Sequence, residues 1–592
     1  MLGCRETCAC RDAVSTSWFH QPGHAKRSTI RLLSLALTLS LGAPLTSWAQ
    51  VKTEPFDEQR LESVGVVIVN PSPDAALNSR VADLVRRTVA AYPSSSYSEA
   101  GLMAALARLS RAPEIRSVAH ALSVGSSGGV VLRLDVTLTQ VQDAATAAPA
   151  PQFPNLYQSQ GTLVRARFES LGMYYGNSNA WFGRNDLMLN GNPFAVGKSA
   201  GKGYSQWLEG FVHAGLYGIT PITDTLYAYG GASVIASGSV GQELFTDKTR
   251  SHVAIEDAFV GLVGGSTSER GDRLVYNLAA GRQRFSIGEG MILVNTAMNG
   301  LNRAALQSNP RWAADQVLLA RAAYNDWKLE AFHVDPDELP EVDSKTRIQG
   351  LNLETTALKD FSFGFTALRV PKSQGSYYTT TSQLPREGLC ALDLRVRWQP
   401  ATAGGAGPFA AAEFARQTHS KFDMRALGYF GELGYAFTKA AWSPSVSYRY
   451  ARFTGDKSDT ARFERWDPLL SGGNGETWVQ GINHFKIFQD SNLIAHRLQA
   501  RLRPMQKIEL VPQYWVFRAD SLTNLGGNPA LSMLPSKKLG TELNLTAKYF
   551  MSRNVMFQGH VAATFAGTAI EQALGQHSSP WISTMFFVRI GY

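Results

Sequence analysis

Cysteine, charge and long apolar runs are all scarce in this chain of 592 residues. Of the four cysteines, Cys4, Cys8 and Cys10 sit at the very start and Cys390 stands alone in the body. Once a leader is removed, no intramolecular disulfide can form. Charged residues are 18% of the chain, against about 25% in ordinary soluble domains. Mean hydropathy is −0.13, too low for a bundle of spanning helices that each need about 20 consecutive apolar residues. What is abundant is glycine, at 53, with 29 Phe, 20 Tyr and 12 Trp; so many aromatics exclude disorder. Little charge, much glycine and aromatic, and no long apolar run together fit an all-β transmembrane barrel, in which apolar and polar residues alternate and average out.

Catalytic signals are as thin as the charge. His213, His333, His484, His496 and His560 are scattered, with no metal-ligand spacing and no phosphate-binding loop. His560, beside Gln558 on a polar face, reads as pore-lining, because a serine nucleophile needs a base within hydrogen-bond reach. No catalytic residue, metal ligand or cofactor is assigned. The net charge of +9 is too dilute, and too free of basic clusters, for nucleic-acid binding.

Residues 1–49 read as a secretory signal. Lys26, Arg27 and Arg31 precede the apolar core Leu32 to Leu41, Gly42 and Pro44 break it, and Ser47-Trp48-Ala49 offers small residues before a cut at Gln50. Its ten apolar residues cannot span about 30 Å of hydrocarbon as a helix. Removal takes five basic and two acidic residues, leaving 52 Lys+Arg against 46 Asp+Glu, a net +6 on 543 residues. An exported, thiol-poor, aromatic-rich chain of this size points to a Gram-negative outer membrane, with outer-membrane lipids as neighbours.

Residues 50–141 read as a small α+β unit on the periplasmic side. Glu62 to Asn70 is strand-like; Asp74 to Ala91 has helical spacing with Ala76, Val81, Leu84 and Val85 on one stripe; Ser98 to Ser110 is a second helix. Two strands follow, Ile115 to Val124 and Gly129 to Gln140, around the turn Gly125 to Gly128. The order β-α-α-β-β resembles the periplasmic modules called POTRA domains, which implies a docking site for a periplasmic protein at 51–141. Residues 142–157, opening QDAATAAPAPQFP, are an Ala/Pro linker.

From 158 to 592 the period is two. Leu427, Tyr429, Leu433, Tyr435 and Phe437 oppose Gly428, Phe430, Glu432 and Gly434. Leu539, Leu543, Leu545, Ala547 and Tyr549 oppose Glu542, Asn544, Thr546 and Lys548. Cys390, Leu392, Leu394, Val396 and Trp398 oppose Asp393, Arg395 and Arg397. Short connections at 221–224, 325–326 and 551–554 alternate with long ones at 371–386, 455–476, 521–538 and 566–580, the turn and loop asymmetry of outer-membrane barrels. The count of candidate segments favours about 18 strands, since an even number is expected. The chain ends ISTMFFVRIGY, with Phe586, Val588, Ile590 and Tyr592 on one face. This resembles the terminal strand that the barrel assembly machinery recognises, and so serves as an insertion signal.

Several segments resemble the alginate-export family of outer-membrane barrels: Gly281-Arg282-Gln283-Arg284 closing an apolar strand, Tyr429 to Phe437, Trp466-Asp467-Pro468-Leu469, and Leu539 to Leu543. The resemblance covers roughly residues 160–592 and implies an 18-stranded monomeric barrel that conducts an anionic polysaccharide or other solutes through an arginine-lined lumen. It does not account for the 51–141 unit. Strict alternation would aim Arg282 and Arg284 at lipid unless a bulge intervenes.

Alternation places Arg165, Arg167 and Glu169 on one polar face, Asp393, Arg395 and Arg397 on another, Arg497, Gln499, Arg501 and Arg503 on a third, and Ser445, Ser447 and Arg449 on a fourth. Guanidinium groups in a water-filled passage attract carboxylates and hold them bidentately. The opposing expectation is that they pair with Glu209, Asp393, Glu413, Glu432 and Glu542 and keep the lumen hydrated and rigid. The leading reading is a channel for anionic polysaccharide or small anionic solutes. The alternative is a polypeptide-secretion or assembly translocase, whose Val-Arg-Gly-Phe/Tyr loop this chain lacks; its one Arg-Gly is Arg270-Gly271.

Overall fold

The structure is a computed structural model that describes residues 61–90, 97, 99–124, 130–139, 153–180, 204–242, 249–400, 405–472, 483, 490–525, 533–552, 554–574, 577 and 579–592. The leader, most of the linker, the 125–128 turn, His484 and parts of the loops expected at 455–476 and 521–538 lie outside the described residues.

Residues 61–138 form a three-stranded sheet with two helices: β1 (Leu61–Ile68), α1 (Ala75–Ala90), α2 (Glu99–Leu109), β2 (Ile115–Val124) and β3 (Val130–Leu138). β3 is central, parallel to β1 and antiparallel to β2. The sheet's inner residues, Val130, Leu132, Leu134 and Val136, pack against Val81 and Val85 of α1 and Leu102 and Leu106 of α2. Ala76, expected on the buried stripe, is exposed in the first turn of α1, and Leu77 packs in its place.

The remainder is a barrel. Its first nine wall strands are β5 (Thr162–Ser178), β6 (Tyr204–Pro221), β7 (Leu226–Gly241), β8 (Arg250–Thr267), β9 (Arg273–Gln283), β10 (Ala314–Tyr324), β11 (Trp327–Asp335), β12 (Arg347–Thr355) and β13 (Phe361–Lys372). A two-stranded hairpin, β14 (Ser376–Tyr378) and β15 (Gln383–Pro385), stands apart from the wall. The other nine are β16 (Leu389–Trp398), β17 (Gly407–His419), β18 (Ala426–Ala436), β19 (Ser445–Phe453), β20 (Leu493–Met505), β21 (Ile508–Arg518), β22 (Lys538–Phe550), β23 (Val555–Ala566) and β24 (Trp581–Gly591). Each pairs antiparallel with its sequence neighbour, and β24 closes the ring against β5, giving eighteen wall strands. A short arm, β4 (Asn155–Ser159), pairs only with the start of β5. No helix among the described residues is long and apolar enough to cross a membrane; the strands do the crossing.

Alternation sorts the side chains as a membrane barrel requires. Leu392, Leu394, Leu433, Tyr435, Leu543 and Leu545 stand exposed on the outer face, while Asp393, Glu413, Glu432, Glu542 and Asn544 are buried inside. Leu539 departs from its expected outer position and is buried, because Gly540 takes φ +150° opposite a register shift between Phe517 and Arg518. On β24, Phe586 is exposed on the outer face, while Ile590 is covered and Tyr592 meets Phe153 edge-on with ring centroids 5.4 Å apart.

Two connections matter for the lumen, one unforeseen in the sequence and one in the long loop expected at 455–476. The segment between β9 and β10 runs 30 residues, 284–313, and buries Phe285, Ile287, Met291 and Leu293 inside the barrel. The segment after β19 meets it there through a bridge between Leu293 and Leu470. At the short-turn end, the inward residues Leu163, Ile219, Tyr227 and Val263 share one apolar core with α2. Arg111, just beyond α2, lies 5.8 Å over the Tyr227 ring and 3.4 Å from Asp224. The small unit is thus seated at the mouth beside β5, β6 and β8.

Candidate functional site

The inner wall from β10 round to β22 carries a belt of alternating cations and carboxylates. Arg321 meets Glu330 at 2.6 Å, Lys328 bridges Glu330 at 3.3 Å and Glu354 at 3.0 Å, and Arg395 reaches Asp393. Arg395 also donates to Asn352 at 2.6 Å and Thr366 at 2.8 Å, and faces Glu413 in register. Further round, Glu432 is clasped by Arg449, which donates to Oε2 from Nε at 2.8 Å and also from Nη2, and by Arg497, which donates to Oε1 at 2.8 Å. Glu509 then takes Arg501, Arg503 at 3.0 Å and Lys548 at 3.5 Å. Each such pair is a charge-assisted bond in a partly dried interior, stronger than a neutral one.

The inward segment joins this belt at Glu289. Its carboxylate accepts from Arg449 at 2.7 Å and from Arg397 at 3.3 Å. Gly288 and Gly290 flank it with φ +57° and +90°. A Cβ at Gly288 would lie 2.6 Å from the Arg395 side chain, and one at Gly290 would lie 2.7 Å from Val294. Only glycine lets the chain turn here and approach the wall closely enough to deliver the carboxylate. Position 289 went unnoticed in the sequence because a loop has no period; the triplet Gly288-Glu289-Gly290 was the available signal.

Arg165 and Arg167 lie on the inner face of β5, with Arg167 3.6 Å from Glu169 and its guanidinium 5.9 Å over the Tyr217 ring. Arg395, Arg397, Arg449, Arg497 and Arg501 converge on the belt with Asp393. They are engaged with carboxylates rather than arrayed as a bare basic ring. Two of the five expected carboxylate partners serve loops instead: Glu209 accepts the backbone N–H groups of Gln307 and Ser308, and Glu542 accepts the backbone N–H of Asn483 at 3.1 Å.

Gly281 to Arg284 lies at the end of β9 away from the short turns, where the inward segment begins. Gly281 takes φ +126°, and β10 bulges opposite it between Ala314 and Val317. The bulge breaks alternation, so Arg282 turns to Asp315 and Asp337 instead of toward lipid. Asp337 also holds Arg303 at 2.8 Å and Arg311 at 2.6 Å, while Glu256 takes Arg311 at 3.2 Å. Arg284 stacks over Trp312 at 4.3 Å. The motif therefore fastens both ends of the inward segment to the wall.

Two other groups were not anticipated. Arg589 of β24 pairs with Glu169 of β5 across the closing seam. Inside β6 to β8, Ser233 bonds His213 Nε2 at 2.8 Å and donates to Asp257 at 2.8 Å. The serine stands between histidine and carboxylate, an order that cannot relay its proton through the imidazole as hydrolysis needs. Among the described residues no cluster of His, Cys, Asp and Glu could hold a metal ion.

No curated protein matches the sequence. Among solved structures the chain is similar to Pseudomonas aeruginosa OccK7 (OpdD), at 10% identity and TM-score 0.43, covering 72% of this chain and 98% of that one. It is also similar to Pseudomonas aeruginosa OccD3 (OpdP), at 11% identity and TM-score 0.41, covering 76% and 97%. Residues 231–581 match the family model described as alginate export. This chain belongs to the alginate export family and is an outer-membrane channel.

Proposed function

We propose that the channel passes an anionic polysaccharide, or smaller anionic solutes, by diffusion along the arginine–carboxylate belt. The observation that carries this reading is Glu289, held by Arg397 and Arg449 on a segment that folds into the lumen. A uronate carboxylate has the same charge and shape as the Glu289 head group, so a passing polymer can exchange places with it at those guanidinium groups. Arg165, Arg167, Asp393, Arg395, Arg497 and Arg501 then offer successive weak contacts, which transport needs more than one tight site. The family match supports the channel, and the belt supports the anion.

The short-turn rim is read as periplasmic, which puts residues 61–138 in the periplasm at the mouth, where they narrow the entrance or receive a partner protein. The terminal strand β24, with Phe586, Val588, Ile590 and Tyr592 at alternating positions, is the signal read by the barrel assembly machinery before the seam closes. Polypeptide translocation is disfavoured because Arg270-Gly271 lies in the short turn between β8 and β9, away from any inward loop. The test is conductance of the purified protein in planar bilayers with oligouronates added. Blockade by oligouronates but not by neutral oligosaccharides of equal length supports the reading; equal blockade by both refutes the anionic substrate.

A further inference from the structure

The outer wall is recessed across nine of the eighteen strands, β5 to β13, forming a groove of about 1440 Å³. Two register rows line it. One passes strand to strand from Val164 through Ala280 and Leu318 to His333, Gln349 and Arg369. The other passes from Thr220 through Leu262, Ala320 and Ala331 to Ala367. These are outer-face positions: Leu262, Leu278, Leu318 and Leu351 along the rows stand exposed, while the residues between the rows, such as Ile219, Phe332 and Leu368, are buried against the lumen. A row runs across the strands, and barrel strands tilt by about 35–45°. The groove therefore climbs from the short-turn rim at Val164 to the long-loop rim at Arg369.

Its middle is apolar and its upper end is not. Gln349 donates to His333 Nδ1 at 3.1 Å, and Arg369 donates through Nη2 to Gln349 Oε1 at 3.1 Å. Beside them Arg347 pairs with Asp335 at 2.9 Å, and Lys372, exposed, lies across from Arg347 in register. This end of the groove carries Arg347, Arg369 and Lys372, with Asp335 paired to Arg347 and with Asp315 and Asp343 near Asp335. A membrane-facing cation is costly in hydrocarbon and is tolerated where a head group meets it. In an outer membrane, the lipid at the long-loop rim is lipopolysaccharide, which presents phosphates above acyl chains.

We propose that this groove is a binding site for one lipopolysaccharide molecule. Arg369 takes a phosphate, the Gln349–His333 pair braces its guanidinium from below, and an acyl chain lies in the recess over Ala331 and Ala367. Arginine suits this place because its planar fork binds phosphate oxygens in pairs while one N–H stays with Gln349.

The test uses full-length protein extracted from outer membranes in mild detergent. Native mass spectrometry counts retained lipopolysaccharide on wild type, Arg369→Glu, Arg369→Gln and the groove-filling Ala331→Trp. Heat-modifiable gel mobility verifies folding, and bilayer conductance verifies the lumen, which none of these residues faces. The expected result is an adduct on wild type and retention reduced about tenfold in the variants, the loss of one charge-assisted contact or its equivalent, with conductance unchanged. Equal retention in folded Arg369→Gln and Ala331→Trp overturns the site. So does equal competition by phosphatidylglycerol, or a dimer that Ala331→Trp dissolves while lipid retention stays constant.

Discussion

Glu289 lies 2.7 Å from Arg449, although 160 residues separate them in sequence. One oxygen of a loop carboxylate thus ties the inward segment to a wall strand on the far side of the lumen, beside the Arg449–Glu432–Arg497 cluster. Passage and wall are joined at that point, and the variants below separate them.

Glu289→Gln keeps the side-chain shape and removes its charge. The inward segment then loses its ionic tether, and one negative charge leaves the neighbourhood of Arg397 and Arg449. Single-channel recordings should show a larger open conductance and a stronger preference for anions than wild type. An unchanged reversal potential would mean the tether does not border the ion path.

Replacing Arg395, Arg397, Arg497 and Arg501 together by Glu should move selectivity toward cations in a salt gradient. The shift should shrink as salt rises, because the Debye length falls from about 10 Å at 0.1 M to about 3 Å at 1 M. Selectivity identical to wild type would remove these arginines from the conduction path and leave the channel itself standing.

The barrel seam offers a stability test. Arg589→Ala removes the cross-seam partner of Glu169 while Arg167 stays 3.6 Å away, so the cost should fall below the roughly 3–5 kcal/mol of a buried charge left uncompensated. The temperature at which the folded band disappears on heat-modifiability gels should drop. The exchange Glu169→Arg with Arg589→Glu should recover part of the loss, which neither single change can do.

Acid should loosen the loop that Asp467 anchors. Arg386 grips this carboxylate through two bonds of 2.7 and 2.8 Å, and Tyr377 donates to it at 2.7 Å. Burial alone would raise the Asp467 pKa, but the Arg386 guanidinium outweighs burial and holds it below the usual carboxylate value. With the folded pKa depressed, the contribution is complete above the unfolded value, about 3.9, and is lost as pH falls through the folded one. Protease cleavage near 467 should rise only on acidification below that range. In Asp467→Asn it should be high at every pH.

The mouth contact predicts a separable unit. Leu106→Asp places a charge in the core that α2 shares with Leu163, Ile219, Tyr227 and Val263. Residues 61–138 should become sensitive to limited proteolysis while the barrel band persists. Conductance should rise if the unit narrows the entrance, and stay constant if it sits beside the path.

The barrel was legible in the sequence because a strand's two faces meet different solvents. Lipid outside and a polar lumen inside impose a period of two that survives wherever pairing is regular, as at Leu392, Asp393 and Leu394. Composition added the class, and Arg395, Arg449 and Arg497 could be aimed inward from spacing alone. Where the regular pairing breaks, the sequence is silent. Arg282 is turned by a bulge opposite Gly281, and Leu539 is buried by the turn at Gly540; both are cross-strand events that the local pattern does not encode. Whether an inward arginine is free or engaged was also undecidable, since its partner comes from another strand or from a loop. Glu432 across from Arg449, Glu509 beside Arg501, and Glu289 reaching the wall from the inward segment are placed by closure of the ring. Alternation chose which side of the wall each residue faces; only tertiary closure decided which charges meet.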